Sequence, residues 1–146
     1  MLIDHSAVRC DLTGEMLKGD FTYYSATGKK IHVTGNSVSP REIGIDLDLC
    51  EAAFQALMTK CRPHIGHTVF EGAMKCELSG KVLTGEYDYW HLTFDKVVVM
   101  TSKADPKTGD VPVEVINGVL DLNICMEEGA GLLETKDRWR KAPTPS

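Results

Sequence analysis

The sequence predicts an α+β protein built from two related halves, and three observations support this prediction. Residues 10–24 return as residues 76–90, with the cysteine, both leucines, both glycines and one tyrosine unchanged. Residues 46–50 return as residues 121–125 in a second, shorter repeat. Alternating aromatic side chains predict strands at the end of the first repeated segment, and apolar residues at helical spacing predict a helix after the second. Because a repeat is one supersecondary unit used twice, it decides the architecture.

The length and composition fit one unit in which the two halves pack together. The chain has 146 residues, of which 42% are hydrophobic and 25% are charged, as in ordinary globular proteins. A half of roughly 70 residues buries too little surface to be comfortably stable alone. We therefore expect a first repeat at 1–67 and a second repeat at 68–146 that share one core.

Charge, hydropathy and cysteine content limit the functional classes. The formal net charge of −5 weighs against general nucleic-acid affinity, which depends on Lys and Arg neutralising phosphates. No apolar run is long enough to span a membrane, and the first residues lack the features of a signal peptide. We expect a cytoplasmic protein with no membrane partner, whose five cysteines stay reduced.

In the first half, the pattern predicts a short hairpin followed by a helix. A strand is predicted at 21–26, a turn at 27–29 and the returning strand at 30–34. A loop is predicted at 35–44. Residues 45–49 are extended and lead into a helix with Asp48 as its N-cap. Apolar residues at 53, 54, 57 and 58 give this helix one buried face, and it ends near Lys60.

The second half follows the same plan with a longer excursion. Two strands are predicted at 86–92 and 96–100. A hairpin extension follows at 111–116, and an extended segment at 119–124. A helix is expected from about Met126, weakened by Gly129 and Gly131, each of which costs about 1 kcal/mol relative to Ala. Residues 136–146 are basic and then Pro-rich, and we expect this tail to lack regular structure by itself.

Each half therefore combines a Cys-bearing turn, a β-hairpin and a helix with Cys at its start. This arrangement resembles the treble-clef or zinc-ribbon-like fingers of bacterial and phage proteins, which carry C-x-x-C-G in the turn and D-L-C-x-x-C at the helix. The resemblance implies two pseudo-symmetric ββα finger-like repeats. The second cysteine of each pair is replaced here, so that the positions of the two implied metal sites are Cys10, Thr13, Cys50, Ala53, Cys76, Ser79, Cys125 and Glu128.

The replaced cysteines predict a protein that keeps the finger shape without its metal. A structural zinc ion takes four ligands, almost always Cys or His, in a closed tetrahedron. Two cysteines per site fall short of that number, so we expect no zinc and no other cofactor. Thr13 and Ser79 can close the turns through their hydroxyl groups. The resemblance further implies that Cys10 lies within disulfide reach of Cys50, and Cys76 of Cys125.

A second cysteine and histidine cluster follows the first helix. Cys61, His64 and His67 lie close together in the sequence and form a candidate metal site. The competing interpretation is that both histidines are solvated in a connecting loop. Cys61 and His64 also have the residue types of a nucleophile and its base, but the sequence offers no orienting group or oxyanion loop. We therefore expect no catalytic residue and no enzymatic activity.

Two groups of residues are candidates for a binding surface. Tyr24 and Trp90 point to the opposite strand face from the aromatic residues before them, so they are either exposed anchors or part of the core. In the tail, Trp139 lies between Arg138 and Arg140. This basic segment either binds an acidic protein surface or nucleic acid, or complements a helix C-terminus.

The sequence favours a non-enzymatic protein-interaction module. We expect an accessory or structural component of a larger assembly, acting through a protein partner or self-assembly. The finger resemblance points to a bacterial or phage origin, and hence to a host cytoplasm or a virion. The alternative is a regulator or inhibitor of host machinery that contacts nucleic acid through its basic tail.

Overall fold

The computed structural model describes residues 7–34, 37–64 and 73–141. It contains mostly sheet and two helices, which confirms the α+β class. The first half contains β1 (Ala7–Arg9), β2 (Met16–Lys18), β3 (Asp20–Thr34), β4 (Ser37–Cys50) and α1 (Glu51–Cys61). The second half contains β5 (Met74–Lys75), β6 (Val82–Leu83), β7 (Tyr87–Met100), β8 (Val113–Cys125) and α2 (Met126–Lys141). Neither helix, within these described ranges, is both long and apolar enough to cross a membrane.

One antiparallel sheet of four long strands organises the molecule. Its strand order is β4-β3-β7-β8, so each half contributes one hairpin and the two halves join between β3 and β7. Two short hairpins, β1–β2 and β5–β6, hold the cysteine turns of the two halves. The central sheet is therefore a single structure that neither half completes alone.

The register between β3 and β7 relates equivalent positions of the two halves. Thr27 lies directly opposite Thr93, and these two residues are 66 positions apart, as are the two copies of the first repeated segment. Moving away from this point, Tyr24 faces Lys96 and Lys30 faces Trp90. The pairing is thus symmetric about Thr27 and Thr93.

The predicted hairpin turn at 27–29 is wrong, because β3 continues through it to Thr34. Gly28 serves close packing inside the strand. A Cβ atom at this position would lie 2.6 Å from Leu92 Cδ2 and 2.8 Å from Ile45 Cβ. Consequently residues 37–44, predicted as a loop, belong to β4, and the two strands predicted within 86–100 form the single strand β7.

The main core lies between one face of the sheet and the two helices. Tyr24 of β3 stacks on Phe54 of α1, with ring centroids 3.8 Å apart. Burying an aliphatic or aromatic side chain contributes about 1.5–3 kcal/mol. The largest fully buried apolar side chains come from both halves: Ile45, Leu47, Leu49, Leu92, Phe94, Leu122 and Ile124.

Trp90 occupies in the second half the place that Tyr24 has in the first. The Trp90 ring lies against α2 at Gly129, where a Cβ atom would come within 2.1 Å of the indole Cδ1. Gly129 is the repeat equivalent of Phe54, so the larger ring of Trp90 faces the smaller helix residue. Both Tyr24 and Trp90 are buried, which removes them from the candidate binding surface.

Both helices begin directly after a cysteine. Cys50 is the N-cap of α1, and its thiol accepts a hydrogen bond from the Ala53 backbone N–H. The predicted N-cap, Asp48, instead lies in β4, where its N–H donates to the Asp11 carboxylate. The start of α2 at Met126 agrees with the sequence, but α2 runs to Lys141, through residues predicted to lack regular structure.

Candidate functional site

The first candidate site is the pair of cysteines Cys10 and Cys50, called here the first thiol pair. Cys10 opens a tight turn in which its carbonyl accepts from the Gly14 N–H at 2.9 Å, while its own N–H donates to the Glu15 carbonyl at 2.8 Å. Gly14 has a φ of 77°, a conformation that favours glycine. The turn directs the Cys10 thiol toward the start of α1.

Thr13 closes the first site on its exposed side. Its hydroxyl oxygen lies 3.6 Å from the Cys50 sulfur and accepts a hydrogen bond from the Glu15 N–H at 3.3 Å. Ala53, at the fourth position of the implied metal site, contributes its backbone N–H to the Cys50 sulfur at 3.5 Å. The positions named by the sequence therefore come together, with a hydroxyl and an amide beside two thiols.

Backbone hydrogen bonds fix the turn against β4. The Asp11 N–H donates to the Asp48 carbonyl at 2.8 Å, and the Asp48 N–H donates back to the Asp11 carboxylate at 2.7 Å. Burial raises the pKa of Asp11, and the nearby charge of Lys136 opposes this shift. This reciprocal pair holds Cys10 beside Cys50.

The second candidate site, Cys76 with Cys125, repeats this arrangement and is called the second thiol pair. The Gly80 N–H donates to the Cys76 carbonyl at 2.8 Å, and the Ser79 hydroxyl lies 3.9 Å from the Cys125 sulfur. The Glu128 backbone N–H donates to the Cys125 thiol, while the Glu128 carboxylate pairs with Lys60 at 3.2 Å.

A reciprocal pair of hydrogen bonds also fixes the second turn against β8. The Glu77 N–H donates to the Asn123 carbonyl at 2.9 Å, and the Asn123 N–H donates to the Glu77 carboxylate at 2.7 Å. The carboxylate of the residue after each cysteine therefore has the same role in both halves.

The two thiols of each pair differ in acidity. Burial opposes ionisation of Cys10, but hydrogen bonds from the Cys50 N–H and the Thr13 hydroxyl bring its pKa below the ordinary value. Burial raises the pKa of Cys50, and the adjoining Cys10 thiol raises it further. Cys76 has a lowered pKa and Cys125 a raised one for corresponding reasons. Within each pair, the cysteine of the turn is therefore the more acidic of the two thiols.

The chemistry of these groups does not fit the zinc ion that the finger resemblance implies. All five cysteines are free and buried, and each site brings together only two of them. Within residues 7–34, 37–64 and 73–141, no three His, Cys, Asp or Glu side chains are grouped so as to hold a metal ion. Thr and Ser hydroxyls and a backbone amide stand where a tetrahedral zinc site needs two further ligands.

Each cysteine turn is covered by a residue from the other half. The Trp139 ring of α2 lies over Gly14, its indole N–H donates to the Leu12 carbonyl at 3.2 Å, and Arg9 donates to the Trp139 carbonyl at 2.8 Å. The imidazole of His64, just after α1, lies over Gly80. His64 and Trp139 are 75 positions apart, as are Cys50 and Cys125, so they are equivalent residues.

The described side chains of the Cys61 cluster each have a contact outside the cluster. The buried Cys61 thiol donates to the Met58 carbonyl at 3.4 Å, and burial raises its pKa. The His64 ring packs on Gly80, and His67 lies outside the described residues. Cys61 with a raised pKa is a poor candidate nucleophile.

The basic segment keeps only part of its predicted surface role. Trp139 is partly buried against the first turn, and Lys136 donates to the Asp46 carbonyl. Arg138 is exposed, and the side chain of Arg140 lies outside the description. The plain alternative, a helix C-terminus rich in cations, agrees with the observed helix.

A surface that the sequence analysis missed runs along β8. Val113, Val115, Ile116 and Val119 are exposed, and Val115 is the most exposed of them at 52%. Among the described strands, β8 pairs with β7 alone and so forms one edge of the central sheet. The other edge strand, β4, contains Pro40, which lacks an N–H group and thereby discourages strand addition. The signal in the sequence is the apolar spacing of 113–119, a range in which the pattern predicts only a hairpin extension to 116 and an extended segment from 119.

Comparison with known proteins does not assign the chain to a family. No protein-family model matches it, and neither a curated protein nor a solved structure is significantly similar to it.

Proposed function

We propose that this chain is a non-enzymatic protein-interaction module that forms part of a larger assembly and receives its partner on the edge of β8. The exposed apolar side chains of β8 carry this proposal. Four large aliphatic side chains lie on one edge strand that contains no proline. Exposed apolar patches on soluble proteins commonly mark interaction sites.

The chemistry of a strand edge indicates the type of partner. The outer edge of β8 presents backbone N–H and C=O groups that an extended segment of another protein can pair with. Val115 is opposite Val97, while Ile116 is opposite Lys96 in β7, so the apolar side chains lie on both faces of the sheet. An added strand therefore gains backbone hydrogen bonds and apolar contacts above and below.

Two further observations support the description of the chain as a pair of finger-like repeats without metal. The sheet register is symmetric about Thr27 and Thr93, and the two cysteine turns have matching hydrogen bonds. In such fingers the metal stabilises a small fold, and here burial between the halves takes over that role. The resemblance to bacterial and phage fingers makes a bacterial or phage assembly the proposed setting.

We do not extend the proposal to nucleic acid. Base stacking needs an accessible aromatic ring, whereas Trp139 packs on Gly14 and donates to Leu12. The nearby Lys136 is engaged with the Asp46 carbonyl.

The test compares two lysine substitutions that change charge equally. Val115→Lys places a charge on the β8 edge, and Gln55→Lys places one on the exposed side of α1. Each variant is cross-linked in its native cells, and the joined peptides are identified by mass spectrometry. We expect one partner cross-linked beside residues 113–119 in the wild type and in Gln55→Lys, and its loss in Val115→Lys.

Two outcomes would contradict the proposal. Retention of the same partner by Val115→Lys would remove β8 as the binding surface. A wild-type chain that remains monomeric and cross-links to nothing would overturn the interaction module itself.

A further inference from the structure

We propose that each thiol pair binds one soft monovalent cation of the Cu(I) class, so that the chain takes up two ions. This inference is independent of the proposed protein partner. It follows from the disagreement between the ligands present and the four ligands that zinc requires.

The first step is the number and type of ligands. The Cys10 and Cys50 thiols are in hydrogen-bond contact, and so are those of Cys76 and Cys125. Thiolates are soft ligands that favour Cu(I), zinc and iron–sulfur clusters. Cu(I) has a filled d shell and accepts two thiolates in a line, so a pair of cysteines satisfies it where zinc would stay under-coordinated.

The second step is the charge of the resulting complex. One Cu(I) ion displaces two thiol protons and forms two Cu–S bonds, which leaves one net negative charge at the site. The Ala53 N–H donates to the Cys50 sulfur, and the Leu12 and Thr13 N–H groups donate to the Cys10 sulfur. These amides and the N-terminus of α1 stabilise a negative complex. The Glu128 N–H and α2 serve the second pair in the same way.

The third step is access. Both thiols of each pair are buried, but Thr13 and Ser79 beside them are exposed. Each hydroxyl lies within 4 Å of a thiol, at 3.6 Å from the Cys50 sulfur and 3.9 Å from the Cys125 sulfur. Each pair therefore lies directly behind one small exposed side chain, and we place the entry of the cation on that side.

The test titrates the reduced full-length chain with Cu(I) under anaerobic conditions, in competition with a coloured Cu(I) chelator. We expect two equivalents to bind, with ultraviolet absorption from thiolate-to-copper charge transfer. Cys50→Ser and Cys125→Ser should each reduce the stoichiometry to one, and the double variant should bind none. Cys61→Ser is the matched control, since Cys61 is buried and unpaired with another cysteine, and it should still bind two ions.

A measurement on the wild type keeps the proposal testable if a serine variant does not fold. X-ray absorption of the loaded chain should give two sulfur ligands per copper ion. Binding of fewer than one equivalent, loss of binding in Cys61→Ser, or a copper site with nitrogen or oxygen ligands would overturn the proposal. Uptake of two Zn(II) ions with comparable affinity would also overturn it.

Discussion

The indole of Trp139 in α2 lies on Gly14 in the first cysteine turn, at the opposite end of the chain. A Cβ atom at Gly14 would come within 2.5 Å of Trp139 Cε3, so the two residues leave no space for a side chain between them. Together with the contact of His64 on Gly80, this places a ring from each half over the turn of the other half. The turns are therefore stabilised by contacts between halves as well as by their own hydrogen bonds.

Replacement of Gly14 by Ala should reveal this contact. We expect Gly14→Ala to lower the free energy of unfolding by about 2–4 kcal/mol, because it adds a left-handed residue and displaces the Trp139 ring. Gly19→Ala is the matched control: Gly19 has a nearly identical φ of 76° but nothing within 4 Å of the added atom. Urea unfolding of the two variants measures the difference. Equal losses would show that the ring contact contributes nothing.

Replacing two glycines of α2 by alanine should change the stability of the protein in opposite directions. Gly129→Ala should destabilise the protein by about 1–3 kcal/mol, because the new methyl group overlaps the Trp90 indole. Gly131→Ala meets nothing within 4 Å and should stabilise the helix by up to about 1 kcal/mol. Thermal unfolding of both variants provides the comparison. Stabilisation by both substitutions would place Trp90 away from Gly129.

The tyrosines should make the fold sensitive to alkaline pH. Burial raises the pKa of all four, and burial together with Glu51 raises that of Tyr24 to about 12. A folded pKa above the unfolded value means that the stabilisation is complete below pH 10 and is lost as the pH rises toward about 12.

Phenolate absorbance at different pH values tests this expectation. The tyrosines of the native protein should ionise at higher pH than those of the urea-unfolded chain. Tyr24→Phe should remove the ionisation step that occurs at the highest pH in the native titration. Tyr87→Phe should leave that step in place. Coincident native and unfolded titrations would contradict the burial of these phenols.

The pKa of Asp20 is shifted in the opposite direction from the tyrosine pKa values, that is, downward. The Ser102 hydroxyl and N–H donate to its carboxylate at 2.5 Å and 2.7 Å, and these hydrogen bonds lower the pKa of Asp20. A lowered folded pKa contributes stability above the unfolded pKa, and this contribution is lost as the pH falls through the folded value. Ser102→Ala should raise the Asp20 pKa in an NMR titration, while Thr108→Ala should leave it unchanged. An unchanged Asp20 pKa in Ser102→Ala would assign the shift to another group.

The sequence predicted the local parts of the fold better than the sheet. The repeated cysteine segments correctly indicated the turns at Gly14 and Gly80 and the beginning of α2, because these depend on neighbouring residues. Gly28 was misinterpreted as part of a turn, since the atoms that exclude a side chain there belong to Ile45 and Leu92. A glycine that permits a turn and one that permits close packing have the same local pattern.

The candidate sites were predictable to a similar extent. The eight finger positions followed from the resemblance to zinc fingers, and the structure brings them into two clusters. The burial of Trp90 was not predictable from its strand pattern alone, because the space for its ring is provided by Gly44 and Gly129. The exposure of Val115 was not predictable locally either, because it depends on β8 pairing, among the described strands, with β7 alone.

The central pairing of β3 and β7 has a consequence for how the two halves depend on each other. In a homodimer of the first half with this register, Ala26 would face Gly28 of the other copy, and in a homodimer of the second half Leu92 would face Phe94. Here Ala26 faces Phe94 and Gly28 faces Leu92, so small side chains from one half meet large ones from the other. Two first halves would bring only small side chains together at this point, and two second halves only large ones. Because both halves belong to one chain, such one-sided packing is possible, and each half requires its own particular counterpart.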